Sequence, residues 1–372
     1  MTTDTAPDPI RIISADSHTL EPGDLWKNHM SPAFRDRVEL IHEFEGQKGD
    51  FISVAPLRPF DVTSLGTAGI EPEEYEKFTA GGYAACRPGG WDPAERLKDM
   101  DQDGVDAEVL YGGMTMLFYG HPDHDLQRDA FRAYNDWVAE YQAHDPRRLL
   151  GIASISVWDV EGAIKEMSRA RDLGLRGVLL SANPPEELRY SNPVWDPFWS
   201  EAVRLEMPVS LHILTGVHGT GLTEDIIPSY MNLPREIATS ILEMICGGVM
   251  ERHPGLKVVS AENDAGWLAW FLKRLDHATW RWGHRYPEMK RPATEYWRRQ
   301  VFSTWQDDVP AVRTRDLVGV DTLMWASDYP HGDSTWPNSQ SVIEKNFKGV
   351  PEDEKRAMLR DNMIQVYDLD FA

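Results

Sequence analysis

Eight short, strongly apolar runs, separated by polar and amphipathic stretches, predict an α/β fold: a (β/α)8 TIM barrel with a long insertion after its first strand. Most runs are nearly continuous in Val, Ile, Leu and Met, as parallel strands buried on both faces must be. No Gly-x-Gly-x-x-Gly follows the first run, which makes the doubly wound nucleotide-binding sheet the weaker alternative.

The first strand is placed at 10–18 (IRIISADSH), the second at 105–112 (VDAEVLYG) and the third at 149–156 (LLGIASIS). The fourth is at 175–182 (LRGVLLSA), the fifth at 207–213 (MPVSLHI) and the sixth at 256–263 (LKVVSAEN). A weaker seventh lies at 301–305 (VFSTW) and the eighth at 322–328 (TLMWASD). Helical spacing fills the gaps. Over 126–144, Phe131, Tyr134, Val138 and Tyr141 recur three or four apart, and Ile237, Ile241, Met244, Ile245 and Val249 repeat the pattern until His253-Pro254 closes it. Residues 46–90 break the rhythm with Pro56, Pro59, Gly66, Gly69, Pro72, Gly81 and Gly82. This insertion follows a first barrel strand, at the face where active sites form, so it is a candidate lid. No linker or repeat divides the chain, which is read as a single domain over 1–372.

With 38 basic and 60 acidic side chains, the formal charge is −22, which argues against nucleic acid and anionic membrane as partners. Two cysteines, Cys86 and Cys246, are too few for a disulfide framework and point to a reducing compartment, so a cytoplasmic location is expected. No apolar run reaches the length of a spanning helix, and the first residues carry no leader pattern.

The chemistry sits at the ends of the predicted strands, which converge on one cavity in a barrel. The first strand ends in Asp16 and His18, the fifth in His212, the sixth in Glu262 and the eighth in Asp328. Asp16 and His18 are two apart and share a face of an extended strand. Imidazoles and carboxylates brought together in this way are ligands for a divalent cation. Any one of them alone would be unremarkable; a lone His in PVSLHI is ordinarily a hydrogen-bonded core residue. Metal ligation is expected of Asp16, His18, His212 and Asp328; Asp328 and Glu262 are catalytic candidates, and Glu262 could instead ligate the ion or orient a ligand. His218 and His331, in the loops after the fifth and eighth strands, and Trp305, at the end of the seventh, are candidate substrate contacts. Aromatic walls of this kind suit a small, aromatic or otherwise apolar molecule. Of the 14 tryptophans, Trp195, Trp199, Trp267, Trp270, Trp280 and Trp282 are expected to be packing residues, and Cys246 to be core.

The order of blocks along nearly the whole chain resembles the amidohydrolase-related family. These metal-dependent barrel enzymes include aminocarboxymuconate semialdehyde decarboxylase and aromatic-acid decarboxylases. The resemblance is carried by ADSHTLEPGDLW (15–26), RLKDMDQDGVDAEVLY (96–111), DPRRLLGIASISVWD (145–159), NPVWDPFWSEAVRLEMPVSLH (192–212), GGVMERHPGLKVVSAENDAGW (247–267) and WASDYPHGDSTWP (325–337). It implies a barrel holding one divalent ion, zinc first and manganese second, and a homodimer. In its pattern Asp16 and His18 match the first-strand ligand pair, His212 the fifth-strand ligand and Asp328 the eighth-strand aspartate. Many relatives have His or Glu where this chain has Asp16, and decarboxylating relatives have His where it has Glu262. The expected activity is metal-dependent hydrolysis of a small organic substrate, Asp328 activating water; the alternative is non-oxidative decarboxylation of an aromatic or unsaturated acid.

Overall fold

The computed structural model of the protein describes residues 11–219, 221–223 and 225–370. Strand β1 (Ile13–His18) is followed by a small antiparallel sheet of β2 (Val38–Phe44), β3 (Gln47–Val54) and β4 (Phe60–Asp61). Seven further strands complete the barrel: β5 (Ala107–Tyr111), β6 (Leu149–Ser154), β7 (Gly177–Ser181), β8 (Val209–His212), β9 (Val258–Ala261), β10 (Val301–Trp305) and β11 (Leu323–Trp325). All are parallel and pair in chain order from β1 through β5 to β11. The edges meet where the Asp328 N–H donates to the Asp16 carbonyl at 3.0 Å. The fold is a (β/α)8 barrel.

Each of the eight predicted strands is present; the seventh keeps its bounds and the others are shortened at one or both ends, and Ile10 lies outside the described residues. The shortening has a cause at the two ends that matter most. Glu262 and Asp328 have φ of +49° and +59°, a left-handed turn that ends β-geometry and swings each side chain off the ladder axis. Left-handed backbone at non-glycine residues is unfavourable and gathers at functional sites. At β1 the pairing with β5 slips between Ser14 and Ser17, a bulge that re-aims Asp16.

The excursion after β1 starts earlier than residue 46. VELIHEF (Val38–Phe44) is a strand, but one that is mostly half-buried or exposed and whose register shifts at Ile41–Glu43, so it lacks the buried apolar run of the barrel strands. Beyond β4 the excursion is fastened to the C-terminal ends of β1 and β11: Leu20 N–H donates to Gly90 O at 3.0 Å and Ala68 N–H to Pro330 O at 2.9 Å.

Two helical expectations change in detail. The stripe from Ile237 to Val249 spans two helices, Pro234–Cys246 and Val249–Arg252, because Gly248 at φ +79° breaks the first. Cys246 is half-buried rather than core. In Leu268–Trp282 only Leu268, Leu272 and Leu275 form the buried stripe, so Trp270, Trp280 and Trp282 are 69%, 77% and 50% exposed and do not pack inside. Trp195 and Trp199 are fully buried, as expected of packing residues. No helix among the described residues is long and apolar enough to cross a membrane.

Candidate metal centre

Four buried atoms from the ends of three strands, β1, β8 and β9, face one another at the C-terminal mouth of the barrel. His18 Nε2 and His212 Nε2 each lie 3.2 Å from Glu262 Oε2 and 3.5 Å from Asp16 Oδ1. Asp328 Oδ1 is 3.4 Å from His18 Nε2. None of His18 Nε2, His212 Nε2, Asp16 Oδ1 and Glu262 Oε2 makes a hydrogen bond. Buried polar atoms are nearly always satisfied, and an unpaired one costs about 1–3 kcal/mol. Four such atoms aimed at one point, each on a metal-ligating residue type, fit a cation. Their separations also match the edges of a coordination shell with bonds of about 2.1 Å.

The supporting contacts hold the donors in a ligating orientation. His212 Nδ1 donates to the Ile213 carbonyl at 2.9 Å, which leaves Nε2 with its lone pair inward. The second carboxylate oxygen of Asp16 accepts from Glu262 N–H at 2.7 Å and from the Thr304 hydroxyl at 3.0 Å. The Thr304 hydroxyl in turn accepts from the Glu262 N–H at 2.8 Å. Asp16, Glu262 and Thr304, from β1, the end of β9, and β10, are thereby locked into one unit. Asp328 Oδ1 is 3.0 Å from His331 Nδ1, and the His331 ring stacks on His18 at 3.9 Å.

Electrostatics point the same way. Burial alone would lower the His18 pKa, but the carboxylates of Asp328 and Glu262 raise it well above its ordinary value. Burial opposes and Asp16 favours a charged His212, and its pKa is also raised. Asp328, which burial would push up, is held well below the usual carboxylate range by His331 and His18. Three carboxylates in a dry site require positive charge. A proton on an imidazole supplies part of it; a divalent ion ligated by neutral imidazoles supplies more.

The structure thus brings together Asp16, His18, His212, Glu262, Asp328 and His331. Trp305 is buried and lines the cavity beside Glu262. His218 is not brought in: it is exposed, in the loop near Glu236. His121 Nε2 donates to Ala55 O at 2.9 Å and so ties the excursion down. Thr304 carried no signal, because a threonine inside a weak strand has no spacing or motif to mark it. Tyr230, Asn263, Asp264 and Asp333 also line the cavity without having been singled out. Asn263 and Asp264 directly follow Glu262, and that adjacency was the one available hint.

Comparison with known proteins agrees with this architecture. The Amidohydrolase family model matches residues 32–369, nearly the whole chain after β1. Gamma-resorcylate decarboxylase of Rhizobium sp. (strain MTP-10005) is 27% identical over 287 residues, covering 71% of this chain and 86% of the relative. Among solved structures, an amidohydrolase from Mycobacterium avium subsp. paratuberculosis K-10 superposes with a TM-score of 0.77 at 20% identity, over 97% of this chain and 100% of that one. The 5-carboxyvanillate decarboxylase of Novosphingobium aromaticivorans DSM 12444, complexed with manganese, gives 0.69 at 20% identity, over 97% of each chain. This chain is a member of the amidohydrolase family.

Proposed function

We propose that the enzyme is a metal-dependent, non-oxidative decarboxylase of an aromatic or unsaturated carboxylic acid. The observation that carries the reading is the decarboxylase relative aligned over 71% of the chain. Hydrolysis, the first expectation from sequence, rested on Glu262 standing in place of a histidine. Glu262 Oε2 lies 3.2 Å from both imidazole Nε2 atoms, so Glu262 reads as a ligand, and its standing in place of a histidine is no argument for hydrolysis.

Asp16, His18, His212 and Glu262 would hold the ion, with Asp328 beside it. Such an ion would supply Lewis-acid charge to fix and orient the substrate carboxylate. An oxygen-rich set, with carboxylates from Asp16, Glu262 and Asp328 beside the imidazoles, favours manganese over zinc. The Asp328–His331 pair, 3.0 Å apart, holds and passes the proton. That proton goes to the ring carbon bearing the carboxylate. The carbon–carbon bond then breaks, its electron pair restores the ring, CO2 leaves, and solvent returns a proton to the pair. Trp305 and Trp267 wall the space for the ring.

The test is a screen of carboxyl-labelled hydroxybenzoates with manganese- and zinc-loaded enzyme in D2O. Labelled CO2 together with one deuteron on the vacated ring carbon is the expected result. No CO2 from any acid, with water oxygen entering the product of an amide, ester or lactone, would establish hydrolysis instead.

A further inference from the structure

The cavity next to the centre has a volume of about 280 Å³ and a consistent chemical character. Its apolar walls include Trp305, Trp267, Met231 and Pro310, and among the described residues no Lys or Arg lines it. Its polar lining is mostly acceptors. Asn263 Oδ1 is buried and unpartnered, Glu262 Oε2 faces the ion site, and the carboxylates of Asp264, Asp308 and Asp333 also line it.

These carboxylates are not equally engaged. Asp308 accepts three backbone N–H groups, from Ala265, Gly266 and Ala311, at 2.6–2.9 Å, so it is spent on the fold. Asp264 accepts one long bond from Gln306 N–H at 3.4 Å, and Asp333 accepts the Tyr230 hydroxyl at 2.9 Å. Burial, with Asp333, Glu262 and Asp328 nearby, pushes the Tyr230 phenol upward, so it remains a donor already committed to Asp333. Among the lining side chains, one buried donor lacks a partner, the Trp305 indole N–H. A second carboxylate on the substrate would meet like charge and no basic group to pair with. A hydroxyl, amide N–H or ammonium would find acceptors already in place.

Resting on the decarboxylase reading for the reacting end, we propose that the cavity selects substrates whose non-reacting end is a neutral or cationic hydrogen-bond donor, and rejects those ending in a second carboxylate.

The experiment is equilibrium binding to manganese-loaded enzyme of three benzoates that differ only at the para position: aminomethyl, hydroxymethyl and carboxylate (terephthalate). The expected order of affinity is aminomethyl, then hydroxymethyl, then terephthalate, with about tenfold or more between the ends. Asp264→Asn and Asp333→Asn should each shrink that ratio by about threefold; Asn tolerates the φ of +45° at position 264. Terephthalate binding as tightly as the aminomethyl acid, no binding by any of the three, or a ratio unmoved by both substitutions would overturn the proposal. The two readings fail separately. Selection for the ammonium with no CO2 from any acid would sink decarboxylation and support the charge selection. CO2 release with preference for terephthalate would do the reverse.

Discussion

Arg96 is the buried cation that fastens the end of β1 to the loop after β11. Its Nε donates to Glu108 at 2.6 Å, one terminal nitrogen to the His18 carbonyl at 2.8 Å and the other to the Tyr329 carbonyl at 3.3 Å. Both Arg96 and Glu108 are buried, so neither can be left alone cheaply. Arg96→Met strands a buried carboxylate, and denaturant unfolding should show a loss of about 3–5 kcal/mol. Adding Glu108→Gln should recover part of it, because the stranded charge is then gone. At this scale the clustered side chains were more legible in the sequence than their supports. His212 and Asp328 stood out because each is a polar residue closing an apolar run. Arg96 lay inside a recognisable block, but its pairing with Glu108 exists only once a helix has turned back onto a strand. His218 shows the opposite failure: nearness in sequence to His212 placed it in the site, and the loop carried it outward.

Among elements, β10 does more than its weak apolar signal suggested. It delivers Trp305 to the cavity wall and Thr304 to the carboxylate of Asp16. Thr304→Val keeps the shape and removes a hydroxyl that both donates to Asp16 and accepts from the Glu262 N–H. Metal titration of the apo-protein should show affinity weakened about 10–100-fold with the fold intact, the usual effect of losing a group that orients a ligand. Barrel strands were legible because burial on both faces writes itself as continuous apolar sequence. The excursion was less legible at its start, since β2 is mostly half-buried or exposed and carries no buried apolar run. The Trp-rich helix misled for a related reason: aromatic content was read as packing, whereas the spacing of Leu268, Leu272 and Leu275 alone marks the buried stripe.

Across the whole molecule, closure of the barrel is what makes a site from residues more than 300 positions apart. Asp328 reaches Asp16 because β11 lies beside β1, with the Asp328 N–H bonded to the Asp16 carbonyl at 3.0 Å. That juxtaposition was implied by an eight-strand count and by nothing local. The left-handed turn at Glu262 was invisible in sequence, and at Asp328 an aspartate alone marks such a turn only weakly. These two turns are the local strain that the closed barrel sustains to aim two carboxylates at two imidazoles. The central claim is that these donors bind one divalent ion. Its most direct test is the metal content of purified protein by mass spectrometry, for wild type and for His212→Ala, with circular dichroism on both. About one manganese or zinc per chain is expected in wild type, lost in the variant while the spectrum is unchanged. Wild type that holds no metal even after reconstitution, or a His212→Ala protein that keeps it in full, would contradict the account.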